Sequence, residues 1–159
     1  MKMINANGAV IPAIGFGTWT LKDDDATRLV THALNSGYRH IDTAAMYDNE
    51  AAVGEGLRTS GVVRDDIFLT TKVWYTDIGD GDLQRSAEAS VKRLDIGAVD
   101  LVLIHWPSST IPLADSIKAL NEVKDQGLAR HIGVSNFPVR LLEEALELSD
   151  HPLICNQVE

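Results

Sequence analysis

The chain has 159 residues, 45% of them hydrophobic and 23% charged, with 23 acidic against 14 basic side chains and a net charge of −9. That length and composition suit one globular domain with its own core. The acidic balance argues against a nucleic-acid partner, because phosphate backbones attract the opposite charge. No run of about 18 apolar residues is present, so no membrane-spanning helix is expected. The single cysteine, Cys155, excludes an intramolecular disulfide and fits a reducing, cytoplasmic compartment. MKMINANGAV lacks the continuous apolar stretch of a secretory signal, so none is expected.

In chain order, residues 1–12 read as a small leading hairpin turning at Asn7-Gly8. Short apolar runs then alternate with helical stretches. The strands are Ala13–Gly17, Arg39–Asp42, Ile67–Lys72, Val99–His105, His131–Val134 and Leu153–Gln157. The helices between them are Asp24–Ser36, Asn49–Ser60, Asp82–Leu94, Ala114–Gln126 and Pro138–Leu148. Gly37, Gly61 and Gly127 stand where helix C-termini favour glycine, and Asp82 stands where an N-cap is favoured. Strands without alternation are expected to be buried on both faces, as in parallel sheets covered by helices. The pattern predicts a single α/β domain over residues 1–159, either a doubly wound open sheet or a (β/α)8 barrel.

In both architectures chemistry gathers at the carboxyl ends of the strands. Those ends carry Thr18 and Trp19, then Asp42 with Tyr47, Lys72 with Trp74, His105-Trp106, Ser135-Asn136 and Asn156-Gln157. All three tryptophans fall there, which describes a ligand pocket better than a solvated rim. A tyrosine beside a lysine ammonium can protonate a carbonyl oxygen, because the cation stabilises the phenolate and lowers its pKa. A carboxylate such as Asp42 can hold that lysine, and a neutral histidine can donate to the same oxygen. A carbonyl that takes a proton on oxygen needs a hydride on carbon, which implies a nicotinamide cofactor.

These residues resemble the aldo-keto reductases. The likeness rests on GFGTW (15–19), GYRHIDTAAMYDNEAAVGEGL (37–57), LTTKVW (69–74), VDLVLIHWP (99–107), IGVSNF (132–137) and NQVE (156–159). It looks most like the bacterial branch that includes 2,5-diketo-D-gluconate reductases. The resemblance implies a (β/α)8 TIM barrel with an N-terminal hairpin, here stopping after about the sixth strand. It implies NADPH as cofactor and a small aldehyde or ketone, of the keto-sugar or 2-oxoaldehyde class, as substrate. Tyr47 would be the general acid, Lys72 the group lowering its pKa, Asp42 the partner of Lys72 and His105 the residue orienting the carbonyl. Ser135, Asn136 and Gln157 would bind the nicotinamide carboxamide, Thr18 and Asp42 would lie near the cofactor ribose and pyrophosphate, and Trp19, Trp74 and Trp106 would line the substrate pocket. Six strands leave open edges, so the chain is expected to be part of a longer protein, to pair with a second copy or a complementary C-terminal fragment, or to be a natural half-protein.

Two other functions stay open on the sequence: a cofactor-binding subunit with little turnover, and a barrel lyase or isomerase using Lys72 as a Schiff-base amine. Other signals read blandly. Gly15-x-Gly17 has threonine at position 20 where a dinucleotide fingerprint needs a third glycine. His32, His40, His131 and His151 lack metal-ligand spacing and read as surface or helix-end histidines, so no metal site is expected. Cys155 reads as a buried inert thiol, and Arg85, Lys92 and Arg93 as a solvated basic face with Glu88 paired to Lys92.

Overall fold

Six parallel strands follow one another around a single curled sheet in the order they are made, without a crossover that skips a neighbour. That sequential order is barrel topology; a doubly wound sheet reverses direction at a switch point. The computed structural model describes residues 1–159. The elements are β1 (Met3–Ala6), β2 (Ala9–Pro12), β3 (Phe16–Gly17), α1 (Asp23–Asn35), β4 (His40–Asp42), α2 (Glu50–Thr59), β5 (Phe68–Val73), α3 (Asp82–Leu94), β6 (Val99–Ile104), α4 (Leu113–Asp125), β7 (Ala129–Ser135), α5 (Val139–Leu148) and β8 (Leu153–Gln157). Single 3₁₀ turns occupy Ala45–Tyr47 and Arg64–Asp66.

β5 and β6 are buried along their whole length. Successive side chains face opposite sides of a strand, and this divides the core in two. Ile41, Leu69, Val102, Ile104 and Ile132 join the larger cluster beneath the helices. Phe68, Leu101 and Leu103 face the other way, into the barrel, with Ala9 of the hairpin and Ile154. The same alternation turns His40, Asp42, Thr70 and Lys72 inward. The β1–β2 hairpin lies against the strand starts, where Asn7 Nδ2 donates to Leu153 O at 2.9 Å.

Several boundaries differ from the sequence reading. Ala13–Gly17 is strand only at Phe16–Gly17, because β3 has a ladder partner on one side alone and pairs just those two residues with Ile41 and Asp42. Asp82 is the first helical residue of α3 and not its cap; Gly81 precedes it, and Gly81 N donates instead to Gln84 Oε1 at 2.7 Å. Asn49 and Pro138 likewise stand just before their helices. β7 is longer than expected, since Ala129 pairs with Val99.

Helices α1, α2 and α3 meet closely at two glycines. A Cβ on Gly56 would fall 2.8 Å from Thr27 O, and one on Gly54 would collide with the backbone of Leu94. The buried Glu50 carboxylate ties α2 to its neighbours: Oε1 accepts from Thr71 Oγ1 at 2.5 Å, and Oε2 accepts from Arg93 Nε at 2.8 Å and Nη2 at 2.6 Å. Arg93 therefore leaves the basic face read from the sequence and serves a buried acid; Lys92 does pair with Glu88, at 2.8 Å. Between the edges β3 and β8 a cavity of about 450 Å³ opens onto Gly17, His40, Asp42 and Gln157.

Candidate active site

Asp42 is the last residue of β4, Lys72 the last but one of β5, and His105 follows β6, all on the inner side of neighbouring strands. Lys72 Nζ donates to Asp42 Oδ1 at 2.6 Å and to Thr43 O at 3.0 Å, and lies 3.5 Å from Tyr47 Oη. Tyr47 closes the 3₁₀ turn after β4, and Asp48 follows with a left-handed φ of 54° that redirects the chain into α2. The Tyr47 ring meets His105 edge-on at 5.7 Å between centroids, and His105 meets Trp74 likewise at 5.1 Å.

Burial controls the charges. Lys72 is 2% exposed; desolvation draws its ammonium below the ordinary lysine range, while the Asp42 carboxylate opposes that shift. Burial, then the Asp42 charge, pushes Tyr47 up to about 12. The lowering of the Tyr47 pKa expected from its lysine neighbour is not found, and the phenol holds its proton firmly. Burial, then Lys72, brings His105 down to about 4, against an opposing pull from Asp42. His105 is neutral at pH 7. Its Nδ1 is buried without a partner, and a proton there would be an unsatisfied buried donor. The proton belongs on Nε2, the ring nitrogen left to reach the cavity.

Tyr47, Lys72 and His105 border a cavity of about 410 Å³, together with Trp19, Trp74 and Trp106. Trp19 is 70% and Trp106 39% exposed, so the mouth is an aromatic rim. Met46 and Val158 complete its apolar side. Neither stood out in the sequence; the one signal was their position beside Tyr47 and Gln157.

Ser135, Asn136 and Gln157 line the same cavity. Ser135 Oγ donates to Gln157 O at 2.8 Å, and Asn136 Nδ2 donates to His105 O at 3.1 Å and Ser135 Oγ at 3.0 Å. Gln157 Nε2 donates to Asp42 Oδ2 at 3.0 Å, which leaves its Oε1 as a spare acceptor. Hydroxyl and amide groups of this kind can hydrogen-bond a carboxamide. The one cation in the lining, Lys72, is committed to Asp42, so this cavity offers a phosphate no free positive charge. Thr18 is not drawn in: its side chain is fully buried, with Oγ1 unpartnered, and its N–H donates to Asp42 O at 2.9 Å.

Of the remaining signals, Cys155 is half-buried and desolvation raises its thiol to about 11. His40 is neither on the surface nor at a helix end: it faces the barrel interior, where Nε2 lies 3.0 Å from Thr70 Oγ1. His151 Nε2 lies 2.7 Å from Asp125 Oδ1. No helix is long and apolar enough to cross a membrane.

Known proteins share both pattern and geometry. The sequence profile of the Aldo/keto reductase family matches residues 13–159. Methylglyoxal reductase DkgB of Salmonella typhi is 46% identical over 153 residues, 94% of this chain and 57% of that protein. A crystal structure provisionally assigned as 2,5-diketo-D-gluconic acid reductase B superposes with a TM-score of 0.97 at 48% identity, over 100% of this chain and 57% of the other. The aldo-keto reductase of Bombyx mori, solved in complex with NADP, superposes with a TM-score of 0.90 at 33% identity, over 99% of this chain and 58% of the other. The chain thus spans a little over half the length of these relatives.

Proposed function

This chain belongs to the aldo/keto reductase family, and from that premise we propose that it carries the catalytic groups of an NADPH-dependent reductase acting on small aldehydes or ketones. The observation that carries this reading is the line Asp42–Lys72–Tyr47, at 2.6 Å and 3.5 Å, ending at a cavity beside a neutral His105.

Tyr47 Oη gives its proton to the carbonyl oxygen. A phenol held near 12 does this only if the phenolate is stabilised as it forms, and the Lys72 ammonium is placed to do so. Asp42 and Thr43 O fix that ammonium and keep it from swinging into the cavity. His105 Nε2–H donates to the same oxygen and orients it. NADPH, when bound, supplies the hydride that the carbonyl carbon requires, so that an aldehyde or ketone becomes an alcohol. Ser135, Asn136 and Gln157 would hold the carboxamide end of that cofactor. The tryptophan rim excludes water and receives the substrate's apolar part.

With a methylglyoxal reductase and a provisionally assigned 2,5-diketo-D-gluconic acid reductase B among the similar proteins, 2-oxoaldehydes and keto-sugars are the substrates to try first. The open side between β3 and β8 supports a second reading, a half-barrel that works only with further βα units from a longer chain, a second copy or a complementary fragment. The Schiff-base alternative is disfavoured, because Asp42, Thr43 O and Tyr47 already occupy the donors of Lys72. A reducing, cytoplasmic setting suits the free Cys155.

NADPH consumption with methylglyoxal and a broad aldehyde set tests the proposal. Turnover by the chain, lost in Tyr47→Phe with the fold intact, supports it. Turnover retained by that variant overturns Tyr47 as the acid. Cofactor binding without turnover favours the half-barrel reading.

A further inference from the structure

Asn49 is 4% exposed and stands immediately before α2. An asparagine there ordinarily caps the helix with its side chain, yet this one makes no cap bond. Its amide is turned the other way. Nδ2 donates to Thr18 O and to Leu21 O, both at 2.9 Å, and Oδ1 accepts from Thr43 Oγ1 at 2.9 Å. The first two carbonyls bracket Trp19 and Thr20. Thr20 has a φ of 71°, a costly backbone for a β-branched residue that persists only where the surroundings hold it. The third contact is to Thr43, whose carbonyl accepts the bond from Lys72 Nζ at 3.0 Å. Glu50, next in the chain, anchors the same helix start to Thr71 and Arg93.

We propose that Asn49 is a positioning residue that locks the strained Trp19 loop and the Tyr47 turn to Lys72, so that the substrate-facing tryptophan and the proton donor keep one fixed relation. The kinetic consequence rests on the carbonyl-reductase reading; the geometric one does not. A helix N-terminus needs a cap of low cost, and giving that cap up for two loop carbonyls and a threonine hydroxyl is intelligible only if the loops are what must be held.

The test is NMR of the whole chain. In the wild type the Asn49 side-chain amide protons are expected to exchange slowly with solvent. Asn49→Asp keeps the acceptor for Thr43 and removes both donors to the loop. The expected result is a shifted, broadened Trp19 indole N–H signal with that of Trp74 unchanged, and a KM for aldehyde raised about tenfold. Fast exchange of the wild-type amide, or a folded variant with an unaltered Trp19 signal, overturns the proposal. So does a uniform change at all three indoles with a lower melting temperature, which marks a merely structural role. Should the variant not fold, the wild-type exchange rate decides alone. A Trp19 signal that responds in a chain without turnover upholds the positioning role and counts against the proposed function.

Discussion

Gln157 donates across the mouth of the barrel to Asp42, 3.0 Å away and 115 residues earlier in the chain. The Asp42 carboxylate is therefore shared, one oxygen serving Lys72 and the other the last strand. Replacing Gln157 by Leu leaves Oδ2 of a largely buried carboxylate without its donor. A loss of about 1.5 kcal/mol is expected, the lower end for a hydrogen bond to a charged group. Urea unfolding should show a lower midpoint at unchanged slope.

Acid should destabilise the fold through His105. Its folded value of about 4 lies below the ordinary 6.5, so between those values the unfolded chain binds the additional proton. The stabilisation is fully present above pH 6.5 and is lost as pH falls toward 4. His105→Asn should flatten that part of the stability–pH curve relative to wild type, as read by thermal melting at pH 4.5 and pH 7.

Two glycines should respond differently to alanine. At Gly54 the added methyl meets the Leu94 carbonyl and lies 2.8 Å from its carbon. α2 and α3 must then separate, at about 3 kcal/mol or more. At Gly17 nothing lies within 4 Å of the added methyl, and Gly17→Ala should melt within a few degrees of wild type. Equal melting temperatures for the two variants would contradict the close helix approach.

The sequence disclosed the βα alternation and the strand-end polar residues because both follow from local pattern: apolar runs with glycine breaks, and polar groups where each run stops. Between a barrel and an open sheet, only the family likeness pointed one way; strand order is a matter of which distant segments pair. Ala13 and Ile14 look like strand but lack a ladder partner. Arg93 looks solvated, yet its partner Glu50 lies 43 positions away. The Tyr47 pKa depends on how deeply its neighbours pack. Asn49 has the composition of a helix cap, and only three-dimensional placement reveals its other employment.

The bond from Asn7 to Leu153 O joins positions 146 apart. The hairpin precedes its anchor by five parallel strands, so this bond must wait until those five stand side by side. Each of those additions is a short-range step between sequential neighbours, which loop-closure entropy favours. By then the sheet has brought the two ends of the bond together, and the fastening costs far less entropy than closing a 146-residue loop in an unfolded chain. The floor of the barrel is thus laid before its walls and fastened by the sixth of them.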